Sequence, residues 1–277
     1  MKTIIFSLLA VVAVLTGCKE KIEIDLDETT SRLVIDAELT TEKKVHSVKL
    51  NMSTSYFEEG SMPTVSGALV ILNDGSGDLM LNETDPGVYS TPDDFAGIPG
   101  KTYMLTVSYD GKKYTATSVM PQVVPMDSIV FEKTTLPIQP GVIIDPAKSY
   151  YNICVYCQEP GNTKDFYMVD VIKNGVMLTD TLAKKIIMDD EVVNGSYLDG
   201  YRAIQINAVP GDEINFSIST IQREYFLFVY SVIQTQFSGN PFSGPPANAD
   251  TNFSGGAAGF FITRGVHSLS GVIKPLP

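Results

Sequence analysis

The chain has 277 residues, 44% of them hydrophobic and 19% charged. That balance belongs to a globular protein and excludes a disordered one, and the length accommodates a leader followed by two ordinary domains. A formal charge of −12 repels nucleic acid and anionic headgroups, so neither is an expected partner.

Lys2 precedes an apolar run from Ile4 to Leu15, which leads through Thr16 and Gly17 into Cys18. A basic residue, a short apolar stretch and small residues before a cysteine are the pattern of a lipoprotein leader. Residues 1–17 are therefore expected to be removed, leaving Cys18 as the lipidated first residue of the mature chain. About a dozen apolar residues fall short of the roughly twenty that a membrane helix needs. Each buried CH₂ contributes roughly 0.8 kcal/mol, so one acyl chain holds weakly while two or more hold stably. The expected location is the outer membrane, on its cell-surface or periplasmic face, with the membrane itself as partner through Cys18. Residues 18–31 form the lipidated N-terminus and tether. Within them Ile22, Ile24 and Leu26 alternate with charges, as a strand would.

Residues 32–122 read as a succession of short strands. Leu33, Ile35, Ala37 and Leu39 share one face, and Val48, Leu50 and Met52 repeat the pattern. Val65 to Leu72 is a denser apolar run that suits a central strand. Leu79 with Leu81, then Val88-Tyr89, continue the series. Tyr103 to Tyr109 alternates strictly, and Asp110-Gly111 predicts a tight hairpin into Tyr114 to Val119. Turn residues recur at Asn73-Asp74-Gly75, Asp85-Pro86-Gly87 and Pro99-Gly100. With no helical period between these strands, the expected unit is an antiparallel β-sandwich.

Pro121 and Pro125 interrupt pairing at the exit, and residues 123–277 are expected to form a second β-rich domain carrying one main helix. Ser128 to Lys133, Tyr150 to Gln158 and Phe166 to Lys173 read as strands. Glu159-Pro160-Gly161-Asn162 is a turn, and Asn174-Gly175 opens a hairpin into Val176 to Leu178. Glu213 to Ser217 leads into a helix expected near 220–237. Ser219 and Gln222 fit a capping box, and Ile221, Tyr225, Phe228, Val229, Val232 and Ile233 form its apolar stripe. Gly239 and Pro241 stop it. Residues 238–259 form a Gly/Pro-rich loop, followed by a closing strand near Phe260 to Val266.

Several of these segments, taken in order, resemble family four-two-four-nine of the domains of unknown function. The matching pieces are the lipobox at Cys18, Leu33-Val34-Ile35-Asp36-Ala37, Val65-Ser66-Gly67-Ala68 and Pro86-Gly87-Val88-Tyr89. Gly97-Ile98-Pro99-Gly100-Lys101-Thr102-Tyr103, Arg223-Glu224-Tyr225-Phe226, Gly239-Asn240-Pro241-Phe242-Ser243 and Phe253-Ser254-Gly255-Gly256 complete the set. The resemblance implies an exported lipoprotein with an N-terminal immunoglobulin-like or transthyretin-like sandwich, often encoded beside a TonB-dependent receptor. It implies no catalytic residue.

The residues themselves name no reaction. His46 and His267 lack a Gly-x-Ser-x-Gly partner, and neither a zinc-protease motif nor a phosphate loop is present. Cys154 and Cys157 alternate with apolar residues on a strand, which turns them to opposite faces and predicts two packed thiols, not a disulfide or a metal pair. Asp189-Asp190-Glu191 with Asp199, Asp93-Asp94, and Asp74 with Asp78 are acidic clusters without EF-hand spacing. No metal, cofactor or catalytic residue is expected, and solvated turns account for the clusters. The aromatic Gly/Pro loop, with Phe237, Phe242 and Phe253, is the most plausible contact surface, against a lid packed over the helix. The expected function is a non-enzymatic accessory or ligand-capturing partner of a TonB-dependent import system. An adhesin-like or structural surface lipoprotein is the alternative, and a carboxylate-dependent surface hydrolase the third possibility.

Overall fold

The computed structural model describes residues 31–54, 62–136, 145, 147–236 and 250–275. The leader, Cys18, the tether, Phe237 and Phe242 lie outside the described residues. Within them the protein is mostly β, with fifteen strands, one α-helix and one 3-10 turn.

The first seven strands are β1 (Leu33–Thr40), β2 (Ser47–Met52), β3 (Leu69–Asn73), β4 (Asp78–Asp85), β5 (Val88–Ser90), β6 (Thr102–Tyr109) and β7 (Lys112–Val119). They pair antiparallel in the order β1-β2-β5-β4-β3-β6-β7. Alternation puts Leu33, Ile35, Ala37, Leu39, Leu105 and Val107 into one core with Tyr89 and Tyr103. Asp110 (φ 49°) and Gly111 (φ 71°) are both left-handed, as the tight hairpin between β6 and β7 requires.

The dense run from Val65 begins as a turn, and β3 starts only at Leu69. The Glu83 carboxylate explains the difference. It accepts the N–H groups of Gly67 and Gly87, each at 2.9 Å, and the Tyr89 hydroxyl at 3.2 Å. The two backbone donors hold its carboxyl down at about 2. Glu83 thereby pins the Val65–Ala68 turn against the β4–β5 corner, a tertiary contact that local hydrophobicity does not reveal.

His46 is buried at 4% exposure beside Phe95. Its Nε2 lies 3.2 and 3.1 Å from the Glu42 and Phe95 carbonyls, which can only accept, so Nε2 carries the proton. Nδ1 accepts the Thr40 N–H at 3.4 Å. Burial first, and the Lys44 charge second, push its pKa down. The folded state holds His46 neutral, so its contribution is complete above the ordinary histidine value of about 6.5 and is lost as pH falls below it. Thermal unfolding followed by circular dichroism should show Tm falling from about pH 6.5 toward 5. His46→Gln should lose that part of the slope, while an unchanged slope would assign it to other groups.

Beyond Pro125 come β8 (Ser128–Thr134), β9 (Tyr150–Gln158), β10 (Phe166–Lys173), β11 (Val176–Met177), β12 (Ile186–Asp189), β13 (Tyr197–Asn207), β14 (Glu213–Ile221) and β15 (Ala258–Val272). β13-β9-β8 form one sheet. It faces a second, in which β10 lies between β14 and the short pair β11 and β12. Ile153, Val155, Val169, Val171, Phe216 and Ile218 are among the side chains that fill the space between. The helix α1 (Arg223–Gln236) covers the outer face of the second sheet, where Met168, Tyr225, Val229, Phe260 and Ile262 form a third cluster. β10 is therefore buried on both faces, which accounts for its nearly unbroken apolar sequence. No helix among the described residues is long and apolar enough to cross a membrane.

The expected capping box does not form. Ser219 lies within the β14 ladder, opposite Met168 and Val266. The helix instead begins at Gln222, whose carbonyl accepts the Phe226 N–H at 3.0 Å. Inter-strand pairing fixes Ser219 in an extended backbone that a local capping pattern cannot override.

The closing strand is longer than its sequence suggests. Residues 258–264 of β15 run parallel to β1, and residues 265–272 run antiparallel to β14. One strand thus enters the first sandwich and finishes in the second. Ser118 and Thr263 bond across the open side of the first sheet at 3.0 Å, bringing β7 against β15. Cβ at Gly265 would meet the Gln122 and Pro121 carbonyl oxygens at 2.6 and 2.8 Å, so the interdomain segment lies directly on the crossover.

Candidate functional site

The loop after β9 and the loop between β12 and β13 are stitched together at one end of the second sandwich. The Glu159 N–H donates to the Ser196 carbonyl, and the Gln158 amide donates to the Glu159 and Gly195 carbonyls. Gly161 and Gly195 touch: a Cβ on Gly161 would lie 2.9 Å from the Gly195 Cα, so only glycine allows the approach.

Three carboxylates converge there. Glu159, Asp165 and Asp190 place oxygens within 4.8 Å of one another, and Glu159 and Asp190 are buried. Each of them accepts at least one hydrogen bond from within the protein. Glu159 accepts the Tyr167 hydroxyl at 2.9 Å and the Gly195 N–H. Asp190 accepts the Asp165 N–H at 2.7 Å and the Asn194 amide at 2.9 Å. Asp165 accepts the Thr163 hydroxyl at 2.6 Å. These are the described residues best placed to hold a cation, and their bonds also make them a clasp between two loops.

Beside the clasp, between the two sheets, lies a cavity of about 210 Å³. Val124, Val155, Val169, Met188 and Ile218 give it an apolar wall, and Val192 and Tyr201, both exposed, stand among its lining residues. Cys157, Glu159, Tyr167, Asp189 and the Tyr201 hydroxyl are its polar members. Burial raises the Cys157 thiol, with Asp127 and Glu159 adding to the effect, so it stays protonated at neutral pH. Burial and then the bond to Glu159 raise Tyr167 in the same direction. Neither is an activated nucleophile.

Asp189, Asp190, Glu191 and Asp199, read from the sequence as solvated turns, do not converge as one group. Of these only Asp190 enters the convergent group, with Glu159 and Asp165 as its companions. Those two come from the turn that follows β9, and sequence separation hid them. Asp74 is tied to Lys101 at 2.7 Å and caps the Ser76 turn. His267 accepts the Met126 N–H at 3.1 Å, so both histidines serve structure. Cys154 and Cys157 are free and buried on β9, as alternation predicts. Burial and the neighbouring Glu132 push the Cys154 thiol up to about 11. Phe253, expected at a contact surface, is 6% exposed and sits in the core of the first sandwich, so its ring is not available to a partner. Nor does it lie over the helix.

The profile of a family described as a domain of unknown function, DUF4249, matches residues 19–270. The chain belongs to that family. No curated protein matches it. Among solved structures, a two-domain fibronectin type III segment of chicken tenascin is 12% identical, covering 88% of this chain and 99% of that one, with a TM-score of 0.21. A cytokine receptor complex is 8% identical over 86% of this chain and 94% of that one, with a TM-score of 0.25. A putative carbohydrate binding protein from Bacteroides uniformis is 11% identical over 67% of this chain and 89% of that one, with a TM-score of 0.19. Scores of this size add nothing about ligands, and the β-sandwich description rests on the strands and sheets themselves.

Proposed function

We propose that this DUF4249 protein is a non-enzymatic, lipid-anchored outer-membrane protein that captures a ligand for a TonB-dependent importer, holding an apolar part of it in the cavity of the second sandwich. The observation that carries the reading is that cavity, which has an apolar wall and in which Tyr167 and Glu159 are bonded to each other. A dry cavity of roughly 150 Å³ suffices for a benzene-sized group, so about 210 Å³ suits one aromatic ring or one branched alkyl chain. The lipobox at Cys18 supplies the tether, and tethering raises the local concentration beside a membrane partner, so modest affinity is enough. The importer as partner rests on the family resemblance. A hydrolase needs a free acid and a free base, and the convergent carboxylates hold their own loops together instead.

Two measurements test the reading. The lipidated protein, purified from gently solubilised native outer membranes, should bring one importer with it, and Cys18→Ala should lose it. Ala203 lines the cavity from β13, and Ala203→Phe should fill it. The wild type should gain Tm in the presence of an alkylbenzene, and the filled variant should not. A clean protein without an importer would shift the function toward a surface adhesin. Equal alkylbenzene responses in both proteins would remove the cavity from the account.

A further inference from the structure

We propose, resting on the apolar cavity as the ligand site, that its ligand is an extended peptide segment with a basic residue beside an aromatic or branched aliphatic one. The segment adds as a strand to the free edge of β13 and places the apolar side chain in the cavity.

β13 ends the sheet β13-β9-β8 and pairs with β9 alone among the described strands. β12 likewise pairs only with β10. The cavity lies between these two edges, with Met188 of β12 and Tyr201 and Ala203 of β13 in its lining. Val192, 94% exposed, stands in the loop that joins them, whereas Val155 and Val169 on the inner side are buried. A ligand therefore enters past the β13 main chain.

That edge is equipped for pairing. Two bulges put Gly200 and Ala203 out of register with β9, so neither has a partner residue there. Neighbouring strands lie about 4.8 Å apart, so a strand laid along β13 covers the mouth of the cavity. Its side chains alternate, one directed between the sheets and the next away from them. A free hydrocarbon would fill the cavity and leave this edge to water. An extended peptide answers both.

Charge selects the residue next to the inserted one. Leu198 packs into the core between the sheets, and Asp199, opposite Tyr156, falls on the outer face of β13. Arg202 shares that face, but Glu132 at 3.5 Å already answers it. Asp199 is exposed, as is Glu191 in the loop beside Val192, and neither has an ion pair among the described residues. No Lys, Arg or His lines the cavity. A lysine or arginine next to the inserted side chain points outward and meets Asp199, as opposite charges do across paired strands.

The test uses the full mature chain and blocked heptapeptides of threonine, with phenylalanine at the centre and lysine on both sides of it, titrated by calorimetry. Saturable binding is expected. Alanine at the centre should weaken it roughly tenfold or more, and Ala203→Phe should abolish it. Glutamate in place of lysine should weaken binding to the wild type, and Asp199→Asn should shrink that difference. An N-methylation scan reads the strand pairing itself. N–H groups along a strand point alternately to its two sides, so methylation should abolish binding at one alternate set of nitrogens and weaken it far less at the other. Peptides that fail to bind, that bind equally well with glutamate, or that lose affinity equally at every methylated position overturn the proposal. If Tm still rises with an alkylbenzene in that case, the cavity stands as the site of a free hydrophobic molecule. If peptide and alkylbenzene both fail, the cavity reading falls as well. The glutamate peptides and the scan change the ligand alone, so they decide the matter even where a protein variant does not fold.

Discussion

Asp170→Ala should destabilise the protein by about 3–5 kcal/mol, a large share of the roughly 5–15 kcal/mol that holds a domain folded. Asp170 sits in β10 on the face turned toward α1, with its side chain 5% exposed. It accepts the Arg264 guanidinium at 2.9 Å, the Lys185 ammonium at 2.5 Å and the Thr179 hydroxyl at 3.0 Å. Arg264 also reaches Glu38 at 3.5 Å and leaves its Nε unpaired. The Asp170 carboxylate of β10 thus gathers β15, Thr179 and the end of the 3-10 turn Leu182–Lys184, and Arg264 links this group to Glu38 of β1. Removing Asp170 strands the Arg264 charge among apolar neighbours, with only the half-exposed Glu38 to answer it. That is the costly way to break a buried pair, whereas replacing both partners by apolar residues can be close to neutral. Urea unfolding of Asp170→Ala, Arg264→Met and the double variant should show strong non-additivity. Simple addition of the two single effects would mean that the pair is not energetically coupled.

The same carboxylate shapes the acid limb of stability. Burial alone would raise its pKa, but the charges of Arg264 and Lys185 more than offset this and hold it below the usual carboxylate range. A depressed carboxylate contributes fully above the unfolded value of about 3.9, and the contribution disappears as pH falls through the folded value. Asp170→Asn should flatten the decline of unfolding free energy below about pH 4. An unchanged acid limb would assign that decline to other carboxylates, among them Asp74 and Glu83, which hydrogen bonds hold well below the usual range.

Sequence periodicity reveals most of the strands because each buries one face against a single core. Alternation at Leu33–Leu39, Val48–Met52 and Tyr103–Tyr109 needs nothing beyond its own residues to be legible. β13 escapes the same analysis because it is bulged at Asp199–Tyr201 and again at Arg202–Ile204, which breaks the period of two on which the inference depends. β12 is four half-buried residues and too short to show a pattern. β15 is visible only in part, because its two halves serve different sheets and bury both faces.

The candidate site is less legible still, for a related reason. Glu159 reads as a turn residue and Asp165 falls between that turn and the next strand, and nothing in the sequence says that Asp190, twenty-five positions beyond Asp165, folds back to join them. The apolar cavity is likewise a property of two sheets that fail to fill the space between them. Its lining residues Val155, Val169 and Ile218 look like any core valine or isoleucine. Chemistry that depends on what is missing from a contact leaves no mark on composition or spacing.

Gly259→Ala should cost about 4 kcal/mol or more, in the range where a single substitution threatens folding. Gly259 opens β15 with φ +92°, in register with Ile35 of β1. A Cβ there would run into the Ile35 carbonyl oxygen and lie 2.8 Å from its carbon and 3.0 Å from its nitrogen. All three are backbone atoms of a strand whose Ile35 side chain is fully buried, so neither side can move aside cheaply. Gly256→Ala provides the comparison, since Gly256 also has a positive φ (+84°) but no heavy atom within 4 Å of its Cβ position. It should cost only the backbone term, about 1–2 kcal/mol. Equal effects at the two positions would show that strain alone is at work and that the β1–β15 contact yields. Hydrogen exchange then distinguishes two ways of failing. If Gly259→Ala strips protection from Val34–Thr40 while residues 265–272 keep theirs beside β14, the two sandwiches unfold separately and β15 is a strap between them. If protection falls together along the whole strand, one cooperative unit spans both. The burial of Arg264 and the close passage of Gly265 under the Pro121–Gln122 backbone favour the second outcome.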